Sequence, residues 1–301
     1  MRVHAILNRN AGTMIGFGPE QLEKKLANAF AKAGHCISVE TAEPGDIVER
    51  LQSAAGKDYD AIIIGGGDGS VNAAATALLG RDMALGILPL GTLNRLARDL
   101  DLPLDTDQAI KGLVTTEPHK IDVGEVNGRI FLCNSFIGLP PMVTARRQSL
   151  RGRSLAERLS GYLALPGEIA RTVRRLALLI DDSETPRIHR ALTVAVSNNP
   201  YLEEAHFPPK RGPLDTGRLG LYISKHRTIA QTIWLLLRAS LGLWQGDPEF
   251  EGHRVRTLTI NSKAKRLRVS NDGEVLSLET PLHYRIRPRA LTILKPKNGT
   301  T

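Results

Sequence analysis

A chain of 301 residues exceeds one ordinary compact domain and calls for two, each with its own core and with a cleft between them. Its formal net charge of +9 directs it to anionic partners, yet an aromatic content of 4 % is thin for gripping single strands by stacking, so no nucleic-acid partner is expected. Cys36 and Cys133 make no disulfide framework and no Cys/His cluster has zinc-ligand spacing, which suits a reduced, cytoplasmic protein.

The first residues, MRVHAILNRN, begin as a strand and not as a signal peptide. Short apolar runs recur at VHAIL (3–7), CISVE (36–40), AIII (61–64) and ALGIL (84–88), with helical patterns between them, an alternation that predicts a parallel α/β sheet. One of those helices, PEQLEKKLANAFAKAG (19–34), has a proline near its start and Gly34 as its stop. Beyond about residue 121 the texture changes. GEVNGRIF holds Asn-Gly between β-type runs, and ALTVAVS, RLGLYIS, RVRTLTI, KRLRVS and HYRIRP follow, which predicts a mainly antiparallel β second half.

Two helical insertions interrupt that half. In the first, Leu155, Leu159, Tyr162 and Leu163, then Ile169, Val173, Leu176 and Ile180, keep helical spacing. Residues 146–175 hold eight arginines against two acids, a local charge of +6 beside an apolar stripe, which reads either as a solvated face or as a surface for anionic lipid. The second insertion, 228–244, carries Trp234 and Trp244, read more readily as core than as a lipid groove. With Arg238 and several polar residues it falls short of a spanning helix, so any membrane contact is peripheral.

The chemistry concentrates where AIII runs into GGGDGS and then into the helix-forming VNAAATALL. Strand, glycine loop and helix N-terminus together offer backbone N–H groups and a favourable dipole to a phosphate. Glycines suit the loop because a β-carbon would hold the anion away, and because several positions are expected to need positive φ. No Gly-Lys-Ser/Thr follows, so this is no Walker A loop, and Ser70 stands where a dinucleotide fingerprint needs its third glycine. GILPLGTLNRLARDL repeats the plan one βα unit later, and the first strand ends in NRNAG. Ligands of open α/β sheets collect beyond the carboxyl ends of strands, so these three ends predict a nucleotide site. A purely structural glycine turn is the alternative.

GGDGS at 66–70, PLGTLNRLAR at 89–98, NRNAG at 8–12 and NDGE at 271–274 together resemble the diacylglycerol kinase catalytic family, which includes sphingosine kinases and soluble bacterial lipid kinases. The resemblance implies an N-terminal parallel α/β ATP-binding domain, residues 1–122 joined by about 289–301, and a C-terminal β-sandwich over 123–288 that carries the helical insertions and receives the lipid. The active site is expected in the interdomain cleft. The family pattern places ATP over Gly66, Gly67, Asp68, Gly69, Ser70 and Asn72, with Asn8, Arg9, Asn10, Ala11, Gly12, Thr41, Gly91, Thr92 and Asn94 completing the nucleotide site. Asp68 among phosphate-binding amides makes electrostatic sense with Mg²⁺ on the phosphates, reached through water because that ion dehydrates reluctantly; helix capping is its structural alternative.

By the same resemblance Glu274 is the base that takes the acceptor proton, and Asp272 orients it or helps to hold the metal; without it, Asp-Gly between β-type runs is a tight turn. Phosphoryl transfer is mainly positioning and charge neutralisation, so a base of modest strength suffices. Two departures stand out. Arg95 follows Asn94 where many relatives carry Asp, which puts the metal network in doubt while offering phosphate a guanidinium. GPLDTGRLGLYI at 212–223 has Thr216 before Gly217 where bacterial relatives have Asp, leaving Asp215 as the candidate for a structural cation, or as a plain turn aspartate.

The expectation is an ATP-dependent lipid kinase acting on a hydroxyl of a lipid such as diacylglycerol. It would work in the cytoplasm with peripheral contact to the anionic inner membrane surface, a homodimer being compatible with the sequence. An NAD kinase-like enzyme, which the PLGTLNRLAR loop disfavours, and a nucleotide-binding relative impaired by Arg95 are the alternatives.

Overall fold

A computed structural model describes residues 1–12, 18–141, 176–181, 186–202, 209–226 and 249–297, with scattered positions between. The arginine-rich stretch, most of the second insertion and Trp244 lie outside the described residues. The chain divides into two compact units, residues Met1–Val123 with Pro288–Thr301, and Gly124–Arg287.

Unit 1 is a parallel sheet of β1 (Arg2–Asn8), β2 (Cys36–Ala42), β3 (Ala61–Gly66) and β4 (Ala84–Pro89) in the order β2-β1-β3-β4. Its helices are α1 (Pro19–Lys32), α2 (Ile47–Ala55), α3 (Asp68–Leu78), α4 (Arg95–Asp99) and α5 (Thr106–Val114). Val3, Ala5, Leu7, Ala61 and Ile63 pack under Leu22, Leu26 and Phe30 of α1 and Ala109, Ile110 and Leu113 of α5. On the opposite side α2 and α3 pack against each other and against the strands. Both faces of β3 are therefore covered, which is why all six of its residues are buried and its sequence runs apolar without alternation. Gly34 ends α1 at φ 73°, as its place in the sequence predicts.

In unit 2, β7 (Asn134–Gly138), β10 (Thr193–Asn198), β11 (Leu219–Ser224), β12 (Phe250–Val255), β14 (Arg266–Asn271) and β15 (Glu274–Glu279) form an antiparallel sheet ordered β12-β11-β10-β7-β14-β15. The facing layer pairs β8 (Leu176–Asp181), β9 (Arg187–Ala191), β13 (Thr257–Ser262) and the first part of β16 (Leu282–Pro296). Val194, Val196, Leu221, Ile223 and Val269 from one sheet meet Leu178, Ile180, Leu258, Ile260, Leu282 and Tyr284 from the other, a sandwich core. The Asn-Gly signal is a two-residue hairpin between β5 (Thr116–Val126) and β6 (Arg129–Phe131), with Asn127 at φ 45° and Gly128 at φ 79°. The end of β16 returns to unit 1, where Ile293 pairs with Leu85 in parallel.

Three expectations change. Leu176 and Ile180 sit in strand β8 and not in a helix. A spacing of four fits period 2 as well as period 3.6, and Leu178 and Ile180 are the buried partners that decide it. Trp234 is 63 % exposed and Leu237 54 %, against the core reading of Trp234. None of Gly65, Gly66, Gly67, Gly69 or Gly91 takes a positive φ. Among the described residues no helix is long and apolar enough to cross a membrane.

Candidate active site

The glycine-rich stretch is barely a loop. Gly65 and Gly66 are still strand and Asp68 already opens α3, leaving Gly67, the N-cap, as the only residue between them. Glycine is needed there for close approach and not for unusual backbone. A β-carbon on Gly66 would lie 2.6 Å from Ser70 Cβ, and one on Gly65 2.5 Å from Leu7 Cδ2. A β-carbon on Gly91 would lie 2.4 Å from Gly67 Cα, and one on Gly67 3.3 Å from Gly91 Cα. The turns after β3 and β4 thus touch backbone to backbone, and Leu90 N donates to Gly66 O at 3.0 Å.

Side chains then fix the turns. Asn94, in the left-handed region at φ 47°, accepts from Gly91 N at 3.0 Å and donates to Gly91 O at 2.8 Å, closing the loop on itself. Asp68 Oδ1 accepts from Arg95 N at 2.7 Å, so the carboxylate expected near a metal is partly engaged by the backbone at the start of α4. Asn8 Nδ2 donates to Ser70 Oγ at 2.9 Å and its Oδ1 accepts from Asn10 N at 3.0 Å, joining the end of β1 to the first turn of α3. Ala11 N returns to Asn8 O, Arg9 N to Ala42 O, and the Arg9 side chain pairs with Glu43 at 3.1 Å. Gly12 faces Thr92, whose Oγ1 would lie 3.8 Å from a β-carbon there. Asn72, half-buried, follows in α3.

Unit 1 therefore brings Asn8 to Gly12, Gly66 to Ser70 and Gly91 to Asn94 together beyond the carboxyl ends of three adjacent strands. The N-cap of α3, Gly67, makes no side-chain hydrogen bond to the helix, whose first turn carries the partial positive charge of a helix N-terminus. Thr41, near the end of β2, donates its hydroxyl to Glu23 Oε1 at 2.5 Å. Glu23 carried no signal of its own within an amphipathic helix.

Unit 2 holds the remaining candidate carboxylates. Asp272 and Gly273 form the two-residue turn of the β14–β15 hairpin, at φ 48° and φ 90°, with Asn271 paired opposite Glu274. Asp272 Oδ1 accepts from Cys133 N at 2.8 Å and Asn134 N at 2.9 Å, and Oδ2 from Leu132 N at 2.6 Å. Asp272 N donates to Asn134 O at 2.8 Å. Bound this way, Asp272 anchors the turn and leaves the neighbouring Glu274 side chain exposed. Asp215 lies half-buried in the turn before β11, beside Thr216, which accepts from Asn199 Nδ2 at 2.9 Å. Among the described residues no three His, Cys, Asp or Glu side chains gather as a metal site. One partly engaged carboxylate suits a Mg²⁺ delivered on nucleotide phosphates with its water, and does not suit a cage built by the protein.

Burial also shifts groups in unit 2, Tyr222 and His189 among them. Tyr222, whose hydroxyl accepts from Tyr201 N at 2.8 Å, is pushed up to about 12 by desolvation and stays neutral. His189, lowered mainly by desolvation despite Glu251, lines a cavity of about 430 Å³ with Ile180, Leu221, Ile223, Lys225 and His253.

Residues 2–126 match the diacylglycerol kinase catalytic domain, and residues 143–295 match the YegS C-terminal NAD kinase beta sandwich-like domain. The chain is 30 % identical to a protein of Pseudomonas syringae pv. tomato named "Probable lipid kinase YegS-like", over 97 % of this chain and 96 % of that one. It is 25 % identical to a Staphylococcus haemolyticus protein named "Diacylglycerol kinase", over 93 % and 86 %. A crystal structure of a diacylglycerol kinase from Bacillus anthracis str. Sterne superposes with a TM-score of 0.70, covering 98 % and 97 % at 22 % identity, a likeness of fold.

Proposed function

For a chain that belongs to the YegS-like lipid kinases of the diacylglycerol kinase catalytic family, and is thus a phosphotransferase with an alcohol acceptor, we propose that ATP is the donor and a membrane lipid such as diacylglycerol the acceptor. The observation that carries the donor half is the contact of the Gly67 and Gly91 backbones beside an uncapped α3 N-terminus. Main-chain amides with no β-carbons before them are what a polyphosphate requires. Asn8 and Ser70, already hydrogen-bonded to each other, hold the first-strand turn against that surface.

On the acceptor side Glu274 takes the proton of the lipid hydroxyl on its carboxylate, and the Asp272 turn holds it in place. Mg²⁺, when present on the phosphates, neutralises charge that builds on the transferred group, and Asp68 is the residue that would hold it through water. The exposed Trp234 and Leu237 support peripheral docking on a membrane, because an indole and an apolar side chain enter the interface, while Arg238 beside them is half-buried and paired with Asp247 at 3.7 Å.

The test is incubation of the purified protein with γ-labelled ATP, Mg²⁺ and a total lipid extract, with NAD in a parallel reaction and ATP binding followed by thermal shift. One labelled lipid class identifies the acceptor. Label on NAD, or ATP binding with no labelled product in any fraction, would overturn the proposal.

A further inference from the structure

Arg211 is 2 % exposed, a full guanidinium charge inside unit 2. Its Nη1 donates to Leu132 O, to Asn198 O at 2.8 Å and, at the limit of 3.5 Å, to Cys133 O, while Nη2 reaches Cys133 Sγ at 3.4 Å. A cation buried at that cost persists when its donors are met, and here main-chain carbonyls meet those of Nη1. Those carbonyls belong to the segment whose amides bind Asp272. The peptide group between Leu132 and Cys133 accepts from Arg211 at its oxygen and donates to Asp272 at its nitrogen. The next one, between Cys133 and Asn134, accepts from Arg211 and from Asn198 N and donates to the same carboxylate oxygen. Two consecutive peptide dipoles therefore lie between a buried cation and an anion, each end strengthening the hydrogen bond at the other. Asn271, which pairs with Glu274 across the turn, is buried, and among the described residues neither of its amide atoms has a hydrogen-bond partner.

We infer that Arg211 is a positioning residue for Glu274: through the peptide groups of residues 132–134 it clamps Asp272, and Asp272 sets the turn that presents Glu274 to the acceptor. The inference rests on the reading of Glu274 as base. Nothing in the sequence around KRGPLD suggests it, because Arg211 stands 61 positions before Asp272 and acts on backbone.

Arg211→Met, Arg211→Lys, Asp272→Asn and the Arg211→Met/Asp272→Asn pair test it by amide exchange and steady-state kinetics. In Arg211→Met the amides of Leu132, Cys133 and Asn134 should exchange at least about tenfold faster, and kcat should fall about 100-fold, the scale of a misplaced catalytic group, with KM for ATP unchanged. Arg211→Lys should recover part of both effects. The double variant should lose little more than Asp272→Asn alone, since both changes break one clamp. Unchanged exchange at those amides, a normal kcat in a merely less stable Arg211→Met, or additive losses would overturn the inference. If Arg211→Met does not fold, Arg211→Lys decides by the same readouts. Activity surviving in Glu274→Gln would instead remove the base reading, and the exchange arm would still judge the clamp.

Discussion

The two units each rely on a glycine next to an aspartate, and for opposite reasons. In unit 1, Gly67 and Gly91 have ordinary backbone and are glycine because their main chains touch, whereas in unit 2, Gly273 has open space around it and is glycine because its φ is 90°. The aspartates differ in the same way. Asp68 sits in a helical first turn and takes one amide from Arg95, while Asp272 occupies the left-handed region and takes three amides from residues 132–134. Close approach leaves no room for a β-carbon between the two turns. A strained turn fixes the direction of one side chain.

The sharpest separation of the two roles comes from Glu274→Gln. Phosphoryl transfer should fall by about 10²–10⁴-fold, as for loss of a general base, while ATP affinity by calorimetry stays unchanged. A parallel loss of ATP affinity would break the division of labour. Next in size, Gly91→Ala forces a methyl toward the Gly67 backbone and should cost about 1–3 kcal/mol in denaturant unfolding together with nucleotide affinity. Gly273→Ala meets no atom yet keeps an unfavourable φ, so it should cost about 1 kcal/mol and lower kcat without touching ATP binding. Gly69→Ala, in open space on α3, should leave stability unchanged or raise it by up to about 1 kcal/mol while weakening ATP binding. If Gly69→Ala binds ATP normally, the bare amides are structural.

The smallest effect belongs to pH. His189 is lowered from its ordinary value, so the folded state holds it neutral and the unfolded state takes the proton first. Its contribution to stability is complete above about pH 6.5 and is lost as pH falls through the lowered value. His189→Gln should therefore flatten the fall in melting temperature between about pH 7 and pH 5. An identical slope in the variant would remove that assignment.

Much of this was legible from spacing. The continuous apolar run of AIII reports a strand covered on both faces, and Asn-Gly and Asp-Gly between β-type runs report hairpins, because both signals come from neighbours in the chain. Strand β8 was misread because its apolar residues satisfy two periods at once, and only the facing sheet selects between them. The hold of Glu23 on Thr41 spans 18 positions and that of Arg211 on Leu132 spans 79, so no local pattern could contain either.

By itself the sequence determined the alternation of elements and the hairpin turns that demand glycine or asparagine. Those are decided by φ, periodicity and side-chain volume, properties of a residue and its near neighbours. Tertiary structure alone decided that Gly67 and Gly91 share one contact, that Asp68 turns toward Arg95 N, and that a buried guanidinium stands behind Asp272. Each of these is an encounter between segments far apart in the chain, whose geometry exists once the sheets have formed and brought their ends together.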